Sequence, residues 1–159
     1  MNKKIIIFTI IILGLTMIGG GAYFYRQNRA EQIEQVREVV LAFGKKLQMV
    51  SLLAPNDILI SEMKDNYSDF VSPGLLSLWE NDVSKIPGRL TSSPWPDRIE
   101  ISSITRNKGG SYSVEGRVIE ITSKEVVSGG IADQYSVNIT VQKTDGKWLI
   151  TDFERGAYE

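Results

Sequence analysis

From residue 28 to Trp79 the apolar residues of this chain recur every third or fourth position; from Arg98 on they recur every second. A helical stripe has the first period and a half-buried strand the second. The strand-period segments carry Ile99 and Ile101, then Tyr112, Val114, Gly116 and Val118, then Tyr135, Val137, Ile139 and Val141, and last Trp148, Leu149, Ile150 and Phe153. Asn107-Lys108-Gly109-Gly110 and Thr144-Asp145-Gly146-Lys147 read as hairpin turns. A polar loop with Gly129-Gly130 separates the second and third strands. Consecutive hairpins imply an antiparallel meander. Ile119 and Ile121 fall on the face opposite Val118, which predicts a β-bulge near Val118 or a stretch buried on both faces.

Three helical patterns precede the strands. Residues 28 to 53 carry Ile33, Val36, Val40, Phe43, Leu47 and Val50 in 3,4 steps. That is a core-facing helix or, with more repeats, a coiled-coil seam. It should end near Ala54, because Pro55 disfavours helix at the residue before it. Residues 57 to 71 repeat the pattern with Ile58, Leu59, Met63, Tyr67 and Phe70. Ser72 and Pro73 then suit the N-cap and first position of a third helix, whose apolar face is Leu75, Leu76, Leu78 and Trp79 and which stops before Pro87-Gly88. The class is α+β: three helices on one face of a curved four-stranded antiparallel sheet. A twisted sheet cupped around a helix forms a cone whose mouth suits a ligand.

Composition excludes several chemistries. The chain has no Cys and no His. Thiol nucleophiles, disulfides, thiolate or imidazole metal sites and the Ser-His-Asp triad are therefore out. An enzyme here must work with Asp, Glu, Lys, Tyr or Ser, and no catalytic motif marks such a set. With 18 basic and 19 acidic residues the net charge is −1. A nucleic-acid binder needs a basic face, so none is expected. No cofactor or metal is expected either: Glu100, Glu115 and Glu120 lack metal-ligand spacing, and alternation turns Glu100 and Glu115 to solvent.

The N-terminus forms its own segment. Ile5 to Tyr25 contains no charged residue. At about 1.5 Å rise per residue it reaches about 31 Å, one bilayer core. Lys3 and Lys4 precede it, and Tyr23, Phe24 and Tyr25 form an aromatic girdle at its far end. The division expected is a membrane anchor with a short cytoplasmic flank over 1–27 and an extracytoplasmic domain over 28–159. The alternative is a signal peptide cleaved after Ala22. Arg26 and Arg29 would sit at the outer headgroup boundary.

The stretch MKDNYSDFVSPGLLSLWEND and the ending YSVNITVQKTDGKWLITDFE, together with the long first helix, resemble the nuclear transport factor 2-like superfamily, a cone-shaped α+β fold. With the anchor and SSPWPDRIEI included, the layout resembles small membrane-anchored proteins of Gram-positive bacteria. The superfamily holds isomerases, dehydratases and cyclases as well as secretion-channel subunits and assembly domains. Its enzymes pair an Asp with a His or a Tyr; without His the first pattern cannot carry over, and no catalytic residue is transferred. The resemblance does not fix function; with no His, no Cys and no catalytic motif, the expectation is a non-catalytic binding or assembly module of the cell envelope, with a protein partner or small ligand. The alternatives are an isomerase- or cyclase-type enzyme using a buried carboxylate with a Tyr, and a dimerisation domain using the seam on residues 33 to 50 or the outer sheet face.

Two ligand-binding candidates stand out. Trp95, between Pro94 and Pro96 and beside Asp97 and Arg98, is either a platform at the cone mouth or a latch pinning the first strand. Tyr67 and Trp79, with Asp69, either line a pocket or fill the core. The loop Ser128 to Asp133 reads as a connector.

Overall fold

In a computed structural model of the chain, residues 27–158 are described. The Ile5–Tyr25 run, with Tyr23, Phe24, Arg26 and the Ala22 site, lies outside them. Among the described residues no helix is long and apolar enough to cross a membrane. The chain forms two compact units, Met1–Glu34 and Gln35–Glu159. In the first, the described residues are helical, and Gln32 Nε2 donates to Asn28 Oδ1 at 2.8 Å. The sheet and the candidate site belong to the second.

The elements are α1 (27–46), a 3-10 turn Leu47–Met49, α2 (Asn56–Tyr67), α3 (Pro73–Asn81), a 3-10 turn Val83–Lys85, β1 (Trp95–Arg106), β2 (Tyr112–Ile121), α4 (Ser123–Ser128), β3 (Asp133–Thr144) and β4 (Lys147–Tyr158). The class is α+β, and the four strands form one antiparallel sheet in the order β1-β2-β3-β4. Sequence neighbours pair throughout, as consecutive hairpins require. At the β3–β4 turn Asp145 and Gly146 have φ of 49° and 84°. Positive φ at both central residues gives a turn whose twist matches that of the flanking strands.

The apolar stripes lie where their periods place them. Val36, Val40, Phe43, Leu47 and Val50 are fully buried. On the sheet, Val114, Val118, Tyr135, Val137, Ile139, Val141 and Ile150 are buried on one face. Gly44 brings α1 against β1: a Cβ there would sit 2.8 Å from the backbone nitrogen of Ile99. Trp148 Nε1 donates to Gln35 Oε1 at 2.9 Å, tying β4 to α1.

Several expected boundaries are corrected. Helix α1 is helical to residue 46, not to Ala54. Val50 to Leu52 turn extended and pair with the 86–90 segment instead: Arg89 N donates to Val50 O at 2.8 Å and Leu52 N to Arg89 O at 2.9 Å. Tertiary pairing thus takes backbone groups that a longer helix would have used. Helix α2 stops at Tyr67, because Phe70 O and Ser72 N bond Ile150 across a parallel bridge between Val71 and Ile150. Ser72 does cap α3, its Oγ accepting from Leu75 N at 3.3 Å.

β2 carries no bulge near Val118; its register with β3 is unbroken. The other alternative holds, since Val118 to Ile121 are all buried. The shifts lie in the edge strands: in β1 between Pro96 and Arg98 and between Ile101 and Ser103, and in β4 where it passes Tyr135/Val137 and Thr140/Val141. β1 is an edge strand and has one neighbour to satisfy, so it can bulge, while central β2 must keep step with two. β1 also begins at Trp95, before the expected Arg98: Pro96 pairs with Glu120, a site an edge strand tolerates because no outer ladder bond is lost. The Ser93–Pro94 bond is cis. The expected connector 128–133 is preceded by helix α4, opened by a capping box in which Glu125 accepts from Thr122 N and Lys124 N donates to Thr122 Oγ1.

Candidate functional site

The Trp95 region forms a shallow charged surface. Trp95 is half-buried at the start of β1, opposite Ile121. Arg98 is held by two carboxylates: Nη1 donates to Asp97 Oδ2 at 2.8 Å, and Nη2 and Nε donate to Glu100 Oε1 at 2.6 and 3.0 Å. Those bonds raise the Arg98 pKa, Asp97 first and Glu100 second. A groove of about 470 Å³ runs past Asp97 and Arg98 to Glu125, Val126 and Gly129-Gly130. With its guanidinium chelated from both sides, Arg98 has little left to offer an anion.

Tyr67 and Trp79 belong to one aromatic cluster. Tyr67 is fully buried, its ring 4.9 Å from Phe43 and 6.1 Å from Trp79. Its hydroxyl donates to Pro87 O at 2.7 Å. Burial pushes the Tyr67 pKa well above the tyrosine value, with Tyr135 and Glu62 adding to the shift. The hydroxyl is a structural donor that tethers the 86–90 segment. Gly88 completes that tether, because a Cβ there would meet Val50 O at 2.5 Å. Asp69 lies exposed in the turn after α2.

Trp79 has a second surface. It floors a groove of about 630 Å³ between α3, the 3-10 turn after it, the 86–90 segment and β4. Ile86, Pro87 and Phe153 continue the floor, and Leu78 and Leu90 stand on its walls. Leu78 is 61% exposed, in a helix whose buried side already has Leu75 and Trp79. The rim is polar: Asp82 pairs with Lys85 at 3.4 Å, and Asp152 and Arg155 approach from β4. An apolar bed of this size with a few charges at its edge binds an apolar side chain or small amphipathic body. The structure thus separates Trp79, which lines the groove, from Tyr67, which braces it, and from Trp95, which lines neither this groove nor the one beside Asp97 and Arg98. Leu78, Leu90 and Arg155 were not among the sequence candidates. Leu78 was legible only as one more apolar residue of a helix, since the sequence does not say which side of α3 the core takes.

A third cluster lies where β2, β3 and β4 meet. Arg155 stacks over Tyr135 at 4.1 Å and over Tyr158 at 4.7 Å. The two rings stand 5.3 Å apart, edge to face. Burial raises the Tyr135 pKa while Arg155 opposes the rise. Glu120, paired with Asp133, is the buried charged residue here, 5% exposed. Desolvation first, and the neighbouring Asp133 second, raise its pKa above the usual 4.5, with Arg155 pulling the other way. A carboxyl that binds its proton more tightly when folded adds stability below pH 4.5, and that contribution is lost as pH rises through the folded pKa. Glu120→Gln is therefore expected to raise the melting midpoint at neutral pH and to flatten its fall from acid to neutral. A melt series across that range checks this, and an unchanged slope would count against it. Among the described residues no group of His, Cys, Asp and Glu is placed to hold a metal ion.

Fold and site together define a small α+β domain with an amphipathic groove beside its last strand. No protein-family model and no curated protein matches the chain. Among solved structures it is similar to the intermembrane space region of the chloroplast protein ARC6, at 15% identity and a TM-score of 0.35, over 80% of this chain and 96% of that one.

Proposed function

We propose that this is a single-pass membrane protein whose α+β domain, a nuclear transport factor 2-like cone, lies outside the cytoplasm and works as a non-catalytic binding or assembly module of a bacterial cell envelope. The observation that carries the binding role is the groove between α3 and β4, with Leu78 and Leu90 held out to solvent above a Trp79 floor. Exposed leucines on a built concave surface lose solvent contact only when a partner covers them. The space behind the groove is filled by Phe43, Tyr67 and Trp79, which leaves no chamber for a buried reaction there. The charge-free run from Ile5 to Tyr25 carries the membrane role.

A second reading, a small-molecule enzyme, draws on Glu120 beside Tyr135. It is the weaker one, because a substrate would have to open the end of the sheet to reach a carboxyl so buried.

The test uses the full chain in its own cell. A photo-crosslinker in place of Leu90 is expected to trap one discrete partner in the membrane fraction. Adding Leu78→Asp should abolish that adduct with the melting midpoint unchanged, since Leu78 is outside the core. An adduct that survives Leu78→Asp removes the groove from the binding role. Release of the protein from the membrane pellet by high salt removes the anchor.

A further inference from the structure

We propose that the groove takes an extended polypeptide segment, which adds as a fifth strand to the open edge of β4 and places one acidic group against Arg155. The proposal rests on the groove being the binding site and specifies how it binds.

Three observations meet at one place. First, β4 is the last strand of the sheet, and among the described residues the one backbone bridge to its outer edge is that of Val71 to Ile150. Beyond Ile150 no described strand pairs with it. An uncovered edge presents backbone N–H and C=O groups to any extended chain. Second, the register of β4 with β3 slips between Thr140 and Val141 and again between Tyr135 and Val137. Between those slips Asp152, Phe153, Glu154 and Arg155 run in unbroken register. Three of these four residues, Asp152, Phe153 and Arg155, line the groove. The regular part of the edge and the apolar bed are therefore adjacent, so a strand laid on the edge delivers alternate side chains into the bed.

Third, the charges choose the partner. Lys85 on the far wall is already paired with Asp82. Arg155 lies over the Tyr135 and Tyr158 rings and acts on buried Glu120 only through its field: among the described residues no carboxylate forms an ion pair with it. The rings hold the guanidinium in place, and beyond the bond it makes to the Tyr158 hydroxyl its remaining N–H donors can meet a carboxylate. Asp152 and Asp82 on the rim disfavour further acidic groups. The fitting segment thus alternates apolar residues and carries a single carboxylate, from a side chain or a chain terminus, rather than an acidic run.

The full-length protein in lipid nanodiscs is screened against a phage-displayed library of random linear peptides, and an enriched peptide is made with a fluorescent label. Enriched peptides are expected to alternate apolar residues and to share one acid. N-methylation of alternate peptide amides is expected to weaken binding by about tenfold or more, because it removes ladder donors. Arg155→Met should weaken the acidic peptide about tenfold and leave its amide counterpart unaffected. Arg155→Lys should recover part of the loss, which a merely destabilised β4 would not. Hydrogen exchange at Asp152 to Arg155 should slow on binding. Enrichment of no peptide overturns the proposal. So does binding that resists both N-methylation and Arg155→Met; if Leu78→Asp still abolishes that binding, the groove stands and only strand addition fails. A self-associated protein already protected at Asp152 to Arg155 would make a second copy the occupant and equally overturn it.

Discussion

Gly44→Ala is expected to destabilise the protein, although the same exchange at Gly74 should stabilise it. Both glycines are helical, and alanine is the better helix former by about 1 kcal/mol. Steric surroundings decide the sign. A Cβ at Gly44 would lie 2.8 Å from Ile99 N, 2.9 Å from its Cγ1 and 3.1 Å from its Cβ. Ile99 is buried and locked in the ladder opposite Val118, so its backbone cannot yield. The helix must lift from the sheet, at a cost of about 1–3 kcal/mol and more for Gly44→Val. A Cβ at Gly74 meets nothing within 4 Å. Denaturant midpoints of the two alanine variants should therefore move in opposite directions; a shift of the same sign at both would mean that α1 does not sit so close to β1.

Trp79→Ala should cost still more, about 3–5 kcal/mol, the usual range for emptying a buried aromatic site. Trp79 is 2% exposed and packs edge-on against Tyr67, which in turn packs against Phe43. Its removal opens a void at the point where α3 meets the rest of the core. The same change removes the groove floor, so binding should be lost together with stability. Leu78→Asp separates the two effects, because it alters the wall and leaves the floor. A Trp79→Ala variant within about 1 kcal/mol of the parent would show that α3 contributes little to the core.

The sheet was largely legible in the sequence because its signals are local. Alternation marks each strand, Asp145-Gly146 names its own turn, and Ser72-Pro73 announces α3. Features set by distant partners were not. The early end of α1 depends on Arg89, and the end of α2 on Ile150; neither contact leaves a trace near the residues it stops. The bulges in β1 follow from its place at the sheet edge, which no alternation pattern records. Helix α4 did have a local signature, Thr122 followed three residues later by Glu125, and it is short enough to pass for loop. The groove depended on two things alternation cannot supply: which side of α3 is buried, and where the edge of β4 lies against it. Glu120 looks like an ordinary outward glutamate until its pairing with Pro96 and Asp133 at the sheet end is known. Trp95 and Trp79 looked comparable as candidates, and only the fold shows that Trp79 lines a groove and Trp95 does not.

The bond between Trp148 and Gln35 joins residues 113 positions apart. Every strand pairs with its neighbour in sequence, so the sheet can close one hairpin at a time. The helices cannot be completed so cheaply. During synthesis α1 leaves the ribosome before any strand, with Val36, Val40 and Phe43 uncovered, and must wait for β4 before its apolar face is sealed. That interval, rather than the finished fold, is when this chain is most exposed to aggregation and most in need of a chaperone.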